Sequence, residues 1–63
     1  MSEVDKLRKA YETGKICGIT DTNGTKYNGQ VTAVGQVTVL VHDRNKRQNV
    51  ALRHNEIDSV RCG

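Results

Sequence analysis

The dipeptide Asn23-Gly24 lies between two short runs of strand-forming residues, at 16–21 and 26–34. A two-residue hairpin turn needs positive φ at both central residues, and Asn followed by Gly adopts that conformation readily. The second run alternates apolar and polar side chains, which is typical of a half-buried strand. The pattern therefore predicts an antiparallel hairpin and limits the first half of the chain to folds that contain one.

An amphipathic helix is predicted before this hairpin. Ser2 and Asp5 have the spacing of a capping box, with Asp in place of Glu or Gln, and Gly14 is suited to end the helix. Apolar residues recur along one face of the segment between them: Val4, Leu7, Ala10 and Tyr11. We expect a helix over about 3–13 that docks through this face, because so short a helix is not stable alone in water.

Three further strand-like runs follow, at 37–42, 49–53 and 57–62, and short polar turns separate them. Gly29 lies in the middle of the preceding strand, where a glycine favours a sharp bend. One helix followed by five short strands is typical of a small, strongly bent antiparallel barrel. We therefore expect a mainly β fold with one N-terminal helix, in a single domain spanning 1–63 whose barrel covers about 15–62.

The 63-residue chain has few large side chains with which to build a core, since its only aromatic residues are Tyr11 and Tyr27. Below about 70–80 residues, a domain usually needs disulfides, a metal or association for stability. The last predicted strands carry no proline and few charges that would block their edges. We therefore expect edge-to-edge association into a closed homo-oligomer of about five to seven subunits. The residues expected in the barrel core or the subunit interface are Tyr27, Val31, Val39, Leu40, Val50, Leu52 and Ile57.

The predicted location is cytoplasmic. No apolar run approaches the roughly 18 residues of a membrane span, and the first residues lack the pattern of a signal peptide. In that compartment Cys17 and Cys62 are expected as reduced thiols, and a disulfide between them is the less favoured alternative because it requires neighbouring strands. These cysteines, with His42 and His54, lack the short ligand spacings of a zinc site, so neither a metal nor another cofactor is expected.

The charge distribution permits a polyanionic partner. The formal net charge is +3, and the segment 44–53 contains Arg44, Lys46, Arg47 and Arg53 without an acidic residue. The turn with Arg44, Lys46 and Arg47 is a candidate rim for phosphate contacts, and the alternative is a solvated loop that keeps the protein soluble. No nucleophile–base arrangement or phosphate-binding loop is apparent, and so short a chain has little room for a water-excluding cleft. A non-enzymatic protein is therefore expected.

Two segments resemble the motifs of the Sm-like family. The segment 23–36, NGTKYNGQVTAVGQ, resembles the first Sm motif in its bacterial Hfq form, with an Asn-Gly turn, a Lys and a second Gly five residues after the first. The segment 52–57, LRHNEI, resembles the second motif of archaeal and eukaryotic Sm proteins, which is aliphatic-Arg-Gly-Asn-x-Ile. The resemblance implies a five-stranded, SH3-like bent barrel and a ring in which the fourth strand of one subunit pairs with the fifth strand of the next.

The resemblance also implies that single-stranded RNA binds around the pore through two loops. The residues at those loops are Gly35, Gln36 and Val37 after the second strand, and Arg53, His54 and Asn55 after the fourth. Gly35 replaces an Asp of Sm proteins, and Val37 lies where Hfq has a stacking Phe. These differences favour a second hypothesis, a structural or protein-assembly ring of Sm fold without RNA binding. A monomeric SH3-like peptide-binding module is a third, for which two tyrosines are too few.

Arg53 is the strongest candidate for RNA contact, because its guanidinium, repeated around a ring, could stack on bases or bind phosphate. The alternative is a salt bridge from Arg53 to Glu56 or Asp58 that stabilises the end of the barrel. For His54 the alternatives are base stacking or pore lining and a solvated loop position. His42 is expected to be half-buried at the end of the third strand.

Overall fold

The computed structural model describes residues 3–62 as one α-helix, five β-strands and a short 3-10 turn. These elements are α1 (Glu3–Thr13), β1 (Ile16–Asp21), β2 (Lys26–Val34), β3 (Thr38–Asp43), β4 (Gln48–Arg53), the 3-10 turn (His54–Glu56) and β5 (Ile57–Cys62). The predicted N-terminal helix and five strands are confirmed, while Ser2, the expected helix cap, lies outside the described residues. Within 3–62, no helix has both the length and the apolar character that a membrane span requires.

The five strands form one antiparallel sheet in the order β4-β3-β2-β1-β5. The sheet does not close into a barrel, because β4 and β5 lie at its opposite edges and do not pair with each other. The prediction of a mainly β fold with five antiparallel strands is therefore confirmed, whereas closure is not found. Each edge strand presents backbone N–H and C=O groups with which a further strand could pair.

The β1–β2 hairpin forms at the predicted position with a different turn. Asp21 Oδ1 accepts hydrogen bonds from the backbone N–H groups of Asn23 (2.9 Å) and Thr25 (2.8 Å). Gly24 has a φ of +85°, whereas Asn23 is not in the positive-φ region. The connection is therefore a turn followed by one left-handed glycine, and the expectation of positive φ at both residues is wrong. The cause is the Asp21 carboxylate, which organises a longer loop by binding two of its amides.

At Gly29, β2 approaches β3 too closely for a side chain. A Cβ built on Gly29 would lie 2.8 Å from the carbonyl carbon of His42 and closer still to its oxygen. The β2–β3 register then shifts between Val31 and Ala33. A bulge of this kind bends a strand and increases its local twist. The irregularity predicted from the mid-strand glycine is therefore present in β2, and it lies beyond Val31 rather than at Gly29 itself.

We expect Gly29→Ala to lower the free energy of unfolding by about 3 kcal/mol, because the added methyl group must push two backbones apart. Urea unfolding followed by circular dichroism measures the change. Gly18→Ala is the matched control, since a Cβ at Gly18 would meet the backbone oxygen of Arg61 at an ordinary 3.9 Å. The control should match or slightly exceed the parent protein in stability, because alanine in a strand loses less backbone entropy than glycine. Equal stabilities of the two variants would contradict the close approach of β2 and β3 at Gly29.

The core lies between α1 and one face of the sheet. Its buried apolar residues are Leu7, Ala10, Cys17, Ile19, Val31, Val39, Val41, Leu52 and Val60. Tyr27, Val34, Val50 and Ile57 are partly buried against this cluster. The helix contributes two of the four residues on its predicted apolar face, whereas Val4 and Tyr11 are exposed.

Leu40 corrects the predicted core. Its side chain is 40% exposed, because strand alternation places it on the face opposite Val39 and Val41, which are fully buried. On that outer face, its cross-strand neighbours are Ala33 and Ala51. The other predicted core residues are buried or partly buried.

Cys17 and Cys62 form a disulfide, which corrects the expectation of reduced thiols. The two residues lie directly opposite each other where β1 pairs with β5, and their Cα atoms are 4.1 Å apart. They are 45 residues apart in sequence, so their proximity follows from the strand order rather than from local pattern. The bond ties the end of the edge strand β5 to a fully buried residue of β1.

Candidate functional site

Two loops at one end of the sheet form a single open depression of about 500 Å³. Its lining residues are Gln36, Val37 and Thr38, from the β2–β3 turn and the first residue of β3, and Arg53, His54 and Asn55, from the last residue of β4 and the 3-10 turn. The two groups meet because Thr38 pairs with Arg53 across the antiparallel strands. The structure thus brings together five of the six residues predicted for RNA contact, and it adds Thr38, which the sequence did not indicate.

His54 joins the two loops directly. Its backbone N–H donates to the carbonyl of Val37 at 2.9 Å, and its ring Nε2 lies 2.7 Å from the carbonyl oxygen of Gly35. Because a carbonyl only accepts, Nε2 carries the hydrogen in this contact. The sixth predicted residue, Gly35, is therefore held to the depression through His54. Rather than a solvated loop residue, His54 is a partly buried bridge between the loops.

The β2–β3 turn is also closed by its own backbone. The N–H of Gly35 donates to the carbonyl of Thr38 at 2.8 Å. A Cβ on Gly35 would lie 3.1 Å from that same oxygen, a contact tighter than most side chains make. A glycine at this position therefore suits a turn that packs tightly on itself.

Arg53 is the one Lys or Arg among the residues that line the depression. Its side chain is 69% exposed, and its Nε lies 3.8 Å from Oε1 of Glu56, which is itself 52% exposed. The structure thus selects Glu56 rather than Asp58 from the two predicted salt-bridge partners. An ion pair between such exposed groups contributes little to stability, because water and salt screen it. The guanidinium can therefore exchange Glu56 for an anionic ligand at small cost.

The remaining residues of the depression supply groups that could contact bases. Val37 is 66% exposed and presents an apolar surface beside the guanidinium. Gln36 and Asn55 are also exposed, and each side-chain amide can donate and accept hydrogen bonds. The depression thus combines one cation, two amides and a small apolar surface, but it has no aromatic ring other than the His54 imidazole among its lining residues.

The basic turn lies at the other end of β3 and β4. Arg44, Lys46 and Arg47 occupy the connection between Asp43 and Gln48. At about 3.4 Å per residue, the length of β3 separates this turn from the depression by roughly 17 Å. The candidate phosphate rim is therefore a separate surface and does not extend the two-loop site.

The basic turn is ordered by identifiable contacts. Lys46 Nζ lies 5.5 Å from the centre of the Tyr27 ring, within cation–π range. Asp43, almost fully buried, accepts a hydrogen bond from the backbone N–H of Asn45 at 3.0 Å. Arg47 has a φ of 55°, the one positive value among the non-glycine residues from 3 to 62. Asp43 therefore stabilises this turn through its side chain.

The other residues considered for metal binding have structural roles. His42 is exposed rather than half-buried, because it lies on the outer face of β3, where its Nδ1 is 3.1 Å from Asn49 Oδ1. Cys17 and Cys62 are bonded to each other and offer no thiolate. Across residues 3–62, no group of three or more His, Cys, Asp or Glu side chains could hold a metal ion.

A second depression, of about 570 Å³, lies along β1, β2 and β5 and was not predicted. Gly18 leaves space there between Asn28 and Arg61, its cross-strand neighbours. Lys26 and Arg61 give this surface two cations, but it shares no lining residue with the two-loop depression. It therefore provides a comparison surface for mutational tests of the two-loop site.

The comparisons with known proteins leave the family resemblance without independent support. No family model matches the chain, and no curated protein is significantly similar to it.

Proposed function

We propose that this chain is a ring-forming, Sm-like protein that binds single-stranded RNA through the two-loop depression. The observation that carries the proposal is the meeting of Gln36, Val37, Arg53, His54 and Asn55 in one open surface. A guanidinium binds phosphate or stacks on a base, and amide side chains can hydrogen-bond to the exposed edges of unpaired bases. The net charge of +3 favours the approach of a polyanion.

The ring part of the proposal rests on the open edges of the sheet. We infer that β4 of one subunit pairs with β5 of the next, in a ring of about five to seven copies. Each subunit then contributes one modest site, and a strand that contacts several sites gains affinity from their effective concentration. In this proposal the protein is a cytoplasmic, non-enzymatic binding protein without a cofactor.

A structural ring without RNA binding is the second candidate. Its support is the composition of the depression, which has no Phe, Tyr or Trp and whose one imidazole already contacts Gly35 through a ring nitrogen. Base stacking would then depend mainly on the Arg53 guanidinium. RNA affinity and assembly must therefore be measured separately.

Two measurements test the proposed function. RNA binding is measured by fluorescence anisotropy with labelled oligo-U, oligo-A and mixed-sequence RNA over a salt series. Assembly is measured by sedimentation equilibrium at micromolar protein. We expect a closed oligomer whose RNA affinity falls steeply with salt, because each neutralised phosphate of a single strand contributes about 0.7 to the log–log slope. A ring that binds none of the three RNAs would support the structural alternative. A stable 7.0 kDa monomer would contradict the ring itself.

A further inference from the structure

The edge strand β5 has fewer buried side chains than the inner strand β3, although α1 also packs against it. It pairs with β1 alone among the described strands, Val60 is the only buried residue of its six, and Ile57 is partly buried. By contrast, alternate residues of β3 are buried: Val39, Val41 and Asp43. The register between β1 and β5 also shifts between Thr20 and Asp21, near the start of β5. Noncovalent contacts therefore hold β5 less firmly than the inner strands.

The Cys17–Cys62 disulfide holds the opposite end of the same strand. Cys62 is the last residue of β5 and is exposed, whereas Cys17 is completely buried in β1. The sulfur of Cys62 also lies 4.0 Å from the carbonyl oxygen of Lys6 in α1. One covalent bond therefore fixes the end of β5 to β1, close to the helix.

We propose that this disulfide is a redox-sensitive switch that controls whether β5 remains paired with β1. A small thiol such as glutathione reduces the bond in two exchanges. Its thiolate attacks the sulfur of exposed Cys62, the bond to Cys17 breaks, and Cys17 leaves as a thiolate that takes up a proton. A second glutathione thiolate then attacks the glutathione sulfur of the mixed disulfide and releases Cys62. Glutathione disulfide is formed, two electrons pass to the protein sulfurs, and the reverse exchange restores the bond.

The switch has a consequence for assembly that rests on the proposed function. The edge of β5 is the surface to which β4 of a neighbouring subunit would add. A strand whose end is released offers a poorly ordered template for such pairing. Oxidation therefore favours the ring and reduction by excess glutathione opposes it, so that in the proposed cytoplasmic location the ring forms when the cell is oxidised.

Hydrogen exchange measured by mass spectrometry tests the switch on the full chain. We expect dithiothreitol to increase amide exchange in β5 and its partner β1 by about tenfold or more, because local opening becomes easier. The β3–β4 hairpin, 38–53, should change little. Treatment with glutathione disulfide should restore the slow exchange of β5. Unchanged exchange in β5, or an equal increase in the β3–β4 hairpin, would overturn the proposal.

Cys62→Ser provides the matched variant, because it removes the bond and leaves the buried Cys17 thiol in place. Its β5 exchange should equal that of the reduced parent protein and should not respond to dithiothreitol. A variant with slow exchange in β5 would overturn the switch. If the variant does not fold, the reduced parent protein still decides the question.

Sedimentation equilibrium in both redox states separates this proposal from the ring itself. If the oxidised protein forms a ring and the reduced protein forms smaller species, both the ring and the redox switch are supported. An oxidised monomer that still shows the exchange difference would contradict the ring but support the switch. A ring of the same mass in both states, without an exchange difference, would contradict the switch and leave the ring supported.

Discussion

Replacing Arg53 with alanine should weaken single-stranded RNA binding by about a hundredfold at low salt. One substitution removes a charged group from every subunit, and hydrogen bonds to charged groups are worth about 1.5–3 kcal/mol each. The slope of log affinity against log salt should also become shallower by about 0.7 for each phosphate that is no longer neutralised. Anisotropy over the salt series measures both effects. The ring should persist, because Arg53 is 69% exposed and its ion pair with Glu56 contributes little.

Arg44→Ala is the matched control, since it removes the same charge from the basic turn at the other end of β3. We expect a much smaller loss of affinity for it than for Arg53→Ala. Arg61→Ala tests the second depression in the same way. Arg53→Lys separates charge from planarity, because lysine retains the phosphate attraction but loses the flat surface that stacks on a base. An intact Arg53→Ala ring with unchanged RNA affinity would show that the site is assigned wrongly.

The same Arg53→Ala variant also separates the two candidate functions. If the protein is a structural ring without RNA binding, Arg53→Ala should also leave assembly unchanged, because its exposed ion pair with Glu56 contributes little, but there should be no RNA affinity to reduce. Assembly and RNA binding are therefore measured on the same preparation.

Leu52→Ala should lower the free energy of unfolding by about 2–5 kcal/mol, because the truncation leaves a cavity in the core. Leu52 is 4% exposed and lies opposite the fully buried Val39. Urea denaturation at one fixed protein concentration measures the loss, since association contributes to apparent stability. An unchanged urea midpoint would contradict the orientation of β4, which places Leu52 on the core side.

Leu40→Ala is the control for this measurement. It removes the same atoms from the neighbouring strand, but from a side chain that is 40% exposed on the outer face. We expect a loss of less than about 1 kcal/mol, since little apolar surface leaves water there on folding. A loss as large as that for Leu52→Ala would mean that another surface covers Leu40 in solution.

The local sequence pattern predicted the helix and strands better than it predicted the turns and the strand order. Alternation placed Val39 and Val41 on one side of β3, and the same alternation excludes Leu40 from that side. The turn after β1 depended on an Asp21 side chain, and residue preferences alone pointed to a shorter turn. Barrel closure would require β4 and β5 to meet, which no local pattern in either strand determines.

The site was predicted from the resemblance and the residues at the loops rather than from periodicity. Antiparallel pairing of Thr38 with Arg53 explains why the two loops meet. The contact between His54 and Gly35 depends on the orientation of one imidazole ring, which the sequence does not encode in any recognisable pattern. The disulfide was missed for a related reason, because the strand order alone makes Cys17 and Cys62 neighbours.

The His54 bridge also bears on how tightly so small a site can bind. A loop that is mobile before binding loses conformational entropy when a ligand orders it, and that loss subtracts from affinity. Here the carbonyls of Gly35 and Val37 are already held by His54 before any ligand arrives. Ordering of these two loop backbones therefore subtracts less from affinity, although the exposed side chains must still be ordered by the ligand. We expect His54→Ala, which removes the imidazole, to reduce affinity mainly by slowing association. Without the contact to Gly35, the loops must change conformation before they can bind.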